Sequence, residues 1–242
     1  TPTQASASGV WTLDDALQAQ KANNRPIQGV HNPISKSLRF NSADSAYLNR
    51  TPSIAGNRQK FTWSGWAKRS ALGGSTTKML FSAGAASQTT DRVALAYLSG
   101  DSIWLRVSIG GADTTLQTSA LYRVPSAYYH VVIAFDTTQA TAANRIKMYV
   151  NGTQVTAFAS ETYPAQNSST AVNNTVLHGI GASSYSTGGF SDSFYDGYMT
   201  EINFVDGQSL TTSDFGMTDP NTGVWIPKKY TGTYGTNGFY VN

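Results

Sequence analysis

From Ser37 onward the chain alternates apolar and polar positions in short runs, each bounded by Gly, Asn, Ser or Asp. That period of two predicts half-buried strands. Leu38 and Phe40, then Tyr47 and Leu48, flank the polar stretch Asn41–Ser45. Phe61–Lys68 carries aromatic residues on both faces. Further strands are expected at Lys78–Ala83, Arg92–Leu98, Ile103–Ile109, Thr114–Thr118 and Tyr128–Asp136. Arg145–Val150 meets Asn151-Gly152 and then Thr153–Phe158. Asn-Gly between two alternating runs predicts a tight hairpin, because a type I′ turn needs positive φ at both positions. Thr175–Gly181 and Tyr198–Val205 complete the set, the latter read as Met199, Glu201 and Asn203 opposite Thr200, Ile202 and Phe204. So many short strands without interleaved helices predict an all-β fold, an antiparallel two-sheet sandwich.

The flanks differ. Thr12 stands three residues before Asp15, a variant of the capping box, and Leu13–Ala22 is rich in helix formers. A short helix over 12–22 is expected, with Leu13, Ala16 and Leu17 on one face. A helix of that length is marginal alone and should dock on a neighbour. The chain divides into a helix and arm at 1–36, a sandwich at 37–215 and a return segment at 216–242. Thr1 in place of Met, and an end that reads like a strand cut short, predict a piece of a longer chain.

Composition narrows the class. Charged residues are 13 % and aromatics 12 %, enough for a core and too few charges for helical faces. The net charge of +3 and the absence of any Lys/Arg run longer than Lys68-Arg69 or Lys228-Lys229 argue against nucleic-acid binding. No apolar run approaches the ~20 residues of a spanning helix, so membrane insertion is not expected. With no cysteine, disulfides, thiolate metal sites and cysteine nucleophiles are excluded. Folding in a reducing cytoplasm, with later exposure through assembly or lysis, fits that absence.

Five motifs in order resemble laminin-G-type, concanavalin-A-like domains. They are Ser37–Asn41; Phe61–Lys68; Tyr128–Asp136, with Tyr129 where Trp is usual; Tyr149–Gly152; and Asp196–Ile202. The resemblance spans roughly 37–215 and implies a jelly roll. Gly9–Leu13 ahead of it, and Gly223–Phe239 after it, resemble virion proteins of tailed bacteriophages, many of them marine. This likeness implies a non-catalytic structural protein of a tail fibre or surface appendage. It would be made in the host cytoplasm and built into the virion beside other virion proteins, as a homo-oligomer with host-surface glycan as its plausible ligand. A capsid decoration protein and a dedicated carbohydrate-binding protein are the alternative readings.

Glycoside hydrolysis needs two carboxyl groups about 5–10 Å apart. Glucanases of the resembled fold set theirs on one strand as E-x-D-x-x-E, which neither Glu161 nor Glu201 reproduces. The three histidines, His31, His130 and His178, lack ligand spacing, and His130 reads as a structural strand residue. No G-x-S-x-G elbow and no phosphate loop occur. No cofactor is expected. Structural calcium at Asp192, Asp196 and Asn174, or at Asp44 with Asn41, competes with plain Asx turns, which account for the same residues.

A sugar site needs an aromatic platform with polar partners. The Ser/Gly/Tyr-rich loop 184–194 and its surroundings offer Tyr185, Phe190, Phe194 and Tyr195, with Asp192 and Asn174 as polar groups. Trp63, Trp66 and Trp104 are expected in the core or between the sheets. Trp11, Leu13, Leu17 and Trp225 are the candidate interface residues, although the two tryptophans would equally serve to seal the sandwich's outer face.

Overall fold

The computed structural model describes residues 36–85, 90–184, 190, 192–220 and 222–242. The expected helix at 12–22, and with it Trp11, Leu13 and Leu17, lies outside the described residues, as does Tyr185. Sixteen strands are described: β1 Leu38–Phe40, β2 Leu48–Arg50, β3 Lys60–Arg69, β4 Lys78–Gly84, β5 Arg92–Tyr97, β6 Ile103–Ile109, β7 Ala112–Thr118, β8 Tyr129–Asp136, β9 Ile146–Val150, β10 Thr153–Gln154, β11 Phe158–Glu161, β12 His178–Ile180, β13 Gly197–Asp206, β14 Gly216–Thr218, β15 Trp225–Pro227 and β16 Phe239–Val241. They build two seven-stranded sheets and a two-stranded ribbon. The first sheet runs β1-β13-β3-β8-β9-β10, with β16 also on β13. The second runs β11-β7-β6-β5-β4-β12-β2, and the ribbon is β14-β15. Every pairing is antiparallel.

Alternation sets the core. Phe61, Trp63, Val131, Ile133, Phe135, Met148 and Phe204 of the first sheet meet Phe81, Val93, Leu95, Tyr97, Leu105 and Leu116 of the second. Phe61 stacks on Phe135 at 4.6 Å. Each large side chain removed from water here contributes about 2–3 kcal/mol. The Asn-Gly hairpin forms as its sequence requires: Val150 pairs with Thr153, and Asn151 and Gly152 take φ of 48° and 84°.

Four expectations are corrected. The run after Asn-Gly does not stay in one strand, since β10 pairs with β9 while β11 crosses to β7 of the other sheet. In β13 the register shifts between Thr200 and Asn203, with Glu201 at φ 50°. This bulge absorbs one residue, so Met199 shares the core face with Ile202 and Phe204, not with Glu201 and Asn203. Of the strand tryptophans only Trp63 is in the core. Trp66 lies on the outer face of the first sheet, and Trp104 on that of the second beside Met79, Ala94 and Ala96.

The segment after β13 folds back over the outer face of the first sheet. Phe215 and Tyr230 join Val132, Ala134, Tyr149 and Val205 in a second apolar cluster. Trp225 closes this layer against its own sandwich, the sealing role that was one of its two expected uses. Its indole N–H donates to Nδ1 of His130 at 2.9 Å. It also lies so close over Gly152 and Gly216 that a Cβ on either would stand 2.6 and 2.4 Å from the ring.

Candidate functional site

The loop that returns from β12 to β13 is anchored on the outer face of the second sheet. Ser82 Oγ donates to Ala182 O at 2.8 Å and accepts from Ser184 N at 2.9 Å. Met79 N donates to Ser193 O at 2.9 Å, and Tyr195 N to Gly181 O at 2.7 Å. Phe190 lies against Gly179, where a Cβ would come within 2.3 Å of its ring.

Phe190 stacks on Tyr47, their centroids 4.3 Å apart and their planes 20° from parallel. Phe194 stands 6.2 Å from Tyr47 on the same shelf. Tyr47 is 37 % exposed, the two phenylalanines are half-buried and Asp192 is exposed. The result is an aromatic shelf on the outer face of the second sheet, with a carboxylate two residues from Phe190 in sequence. It offers apolar faces to the C–H side of a pyranose and an acceptor to its hydroxyls.

The other expected site residues are dispersed. Tyr195 is wholly buried, edge-on to Phe40 at 6.1 Å, and so is a core residue and not a platform. Burial pushes its hydroxyl well above the usual tyrosine range. Asn174 precedes β12 while Asp192 follows it, so the two lie at opposite ends of that strand, and Asn174 Oδ1 accepts from Thr175 N at 2.9 Å. Asp196 pairs with Arg39 at 2.9 Å, and Asp44 accepts from Asn41. Among the described residues no three His, Asp or Glu side chains stand together as a metal cluster. Tyr47 was missed in the sequence because only its contact with Phe190 gives it a role. Its signal was an apolar pair, Tyr47-Leu48, opening a strand straight after a polar turn.

Other polar groups serve the fold. At the far end Asp206 accepts from Asn57 N at 2.8 Å, Asn173 Nδ2 at 2.9 Å and Asn237 N at 3.0 Å. Buried Asp101 binds Arg69 and Arg123, each at 2.9 Å, and accepts from Gly73 N at 2.7 Å. Burial raises its pKa, but the Gly73 N–H and the two guanidinium groups outweigh that and hold it below the usual carboxylate range. His130 is fully buried, stacked on Trp66 at 4.8 Å, and burial lowers its pKa to about 3. Since its Nδ1 accepts from Trp225, Nε2 carries the proton and donates to Ser64 Oγ at 2.9 Å.

The two glutamates are separately engaged. Glu201 accepts from Tyr240 Oη at 2.8 Å, and Glu161 from Tyr163 Oη at 2.6 Å. A slot of about 290 Å³ opens between β2 and β16, but Leu48, Phe81, Ile180, Phe239 and Val241 make it apolar. Of its polar members, Arg50 and His178 are held by Asn237 and Asn173. The shelf suits a sugar better than the slot.

With this geometry in place, the family follows: the chain belongs to the concanavalin A-like lectin/glucanases superfamily, whose laminin-G family model matches residues 40–214. Among solved structures it is similar to domain 4 of AbnA, a GH43 extracellular arabinanase from Geobacillus stearothermophilus, in complex with arabinotriose. The identity is 15 % and the TM-score 0.51, over 76 % of each chain. It is also similar to the enzymatically active domain of tailspike protein 2 of bacteriophage CBA120, with 14 % identity and a TM-score of 0.50. That match takes in 74 % of this chain and 26 % of the tailspike. A search of curated proteins returned no match.

Proposed function

We propose that this domain is a non-catalytic carbohydrate-binding module of a bacteriophage tail fibre or comparable surface appendage, where it contributes assembly contacts and host-surface glycan recognition. The observation that carries the binding half is the Tyr47–Phe190 stack, with exposed Asp192 two positions along the chain from Phe190. An aromatic shelf of this kind gives affinity through ring faces, while the rigid sandwich keeps it in place. The similar arabinanase domain is described with arabinotriose, which supports sugar binding as a use of this architecture. The likeness of the flanking segments to phage virion proteins supports the appendage, as does the similarity to a phage tailspike domain.

The non-catalytic reading rests on Glu161 of β11 and Glu201 of β13, which belong to different sheets and each accept from a nearby tyrosine hydroxyl. A glycan array of bacterial surface polysaccharides, followed by a reducing-end assay on each bound glycan, tests both parts. Binding without turnover is expected. Turnover of a bound glycan would make the domain a hydrolase. Immunogold labelling of phage particles should mark the tail or fibre; label spread over the capsid would point to decoration instead.

A further inference from the structure

A row of charged and aromatic side chains crosses the outer face of the first sheet. Cross-strand register aligns Arg39 of β1 with Tyr198 of β13, and Tyr198 with Lys68 of β3. Continuing the β3–β8 register one step past Ala67 and Tyr129 brings Tyr128 beside Lys68. The four side chains form a row in which cation and ring alternate. The Arg39 guanidinium lies 5.3 Å from the Tyr198 ring centroid, Lys68 Nζ 6.0 Å from the same centroid, and Lys68 Nζ 5.9 Å from that of Tyr128. This row stands on the outer face of the first sheet, two residues beyond Trp66 and Thr200, where the cover made by Trp225 ends. Tyr198 is 37 % exposed and Arg39 is exposed as well.

Charge selects the occupant. Arg39 shares Asp196 at 2.9 Å, whereas among the described residues no carboxylate lies within ion-pair distance of Lys68. Two cations therefore face one carboxylate, and the rings between them fix where those cations sit. Fixed cations spaced along a strip by aromatic rings complement a polymer that repeats an anion and an apolar ring face. Arg39 already engages a carboxylate through a single Nη1–Oδ1 contact with Asp196, and the same nitrogen donates to the Phe40 and Gly197 carbonyls, so a carboxylate is the anion this row is seen to accept. We propose that the Arg39–Tyr198–Lys68–Tyr128 row binds an acidic polysaccharide whose sugars carry carboxylates. It is separate from the Tyr47 shelf, which sits on the outer face of the other sheet, and stands or falls independently of it.

Affinity electrophoresis through gels containing polygalacturonate tests this, with neutral dextran and oligothymidylate gels as controls. Polygalacturonate should retard the wild type at low salt, and added salt should relieve the retardation. Lys68→Gln should weaken binding about tenfold and Tyr198→Ala about fivefold, from the lost charge and ring contacts. Lys68→Arg should bind like the wild type, with unchanged thermal midpoints showing that the variants fold. No retardation by polygalacturonate, equal retardation by dextran or oligothymidylate, or undiminished binding by folded Lys68→Gln would each overturn the proposal.

Discussion

Trp225 and His130 are joined across 2.9 Å by an indole N–H that donates to an imidazole nitrogen with no access to water. The bond fastens the C-terminal return to the first sheet and fixes the histidine's tautomer together. Trp225→Phe keeps most of the ring over Gly152 and Gly216 but leaves Nδ1 buried without a donor. We expect a loss of about 1–3 kcal/mol in urea unfolding. A variant as stable as the wild type would mean that the bond contributes nothing.

His130 also sets the acid limit, together with His178, whose Nε2 accepts from Asn173 N at 3.0 Å. Burial lowers the two histidines from 6.5 to about 3 and about 4 respectively. Between those values and 6.5 the unfolded chain binds protons that the folded chain refuses, so stability falls as pH falls through that window. The slope should approach about 1.4 kcal/mol per pH unit for each histidine. Below it, Asp101 and Asp136, held under 3.8 when folded, lose their contribution in turn. Unfolding free energies measured from pH 7 to 4 check this; a flat profile would show that the imidazoles are charged in the native state.

The bulge in β13 makes a sharp backbone test. Glu201 adopts φ 50° without being glycine, and its carboxylate takes the Tyr240 hydroxyl. Ala and Gly both lose that bond, but only Gly sits freely in the left-handed region. Glu201→Gly should exceed Glu201→Ala in stability by about 1 kcal/mol. Equal stabilities would mean that the strand runs on without a bulge.

The hairpin at Asn151-Gly152 was legible because few residue pairs tolerate two positive φ values in succession. The bulge was not, because Glu201 gives no local hint and the alternation of Tyr198–Val205 looks unbroken without it. Alternation also placed Trp63 and Trp66 on opposite faces of one strand, yet which face met the core depended on a C-terminal return some 150 residues later in the chain. Phe190 and Tyr195 belong to the same stretch and carry similar rings. Only the hydrogen bond from Tyr195 N to Gly181 O turns one inward, while Gly179 offers the other a seat outside. The candidate site was thus half-readable: its loop was visible in the sequence, but its partner Tyr47 came from a distant turn.

Asp206 ties three segments that are remote in sequence through Asn57, Asn173 and Asn237. Asp206→Asn puts a donor where only acceptors fit and should cost about 2–4 kcal/mol. Hydrogen exchange should show β16 losing protection first, since Asn237 leads into it. Uniform loss across both sheets would indicate that Asp206 does not anchor the C-terminal strand in particular.

The sugar-binding shelf turns on a single side chain that packs on Phe190 while standing open to water. Calorimetric titration of the tightest array glycan into wild type and Tyr47→Ala measures its share directly. The shelf predicts at least about a tenfold loss of affinity, the value of roughly 1.4 kcal/mol of ring contact, in a variant that melts with the wild type. Matching affinities in the two proteins would contradict it.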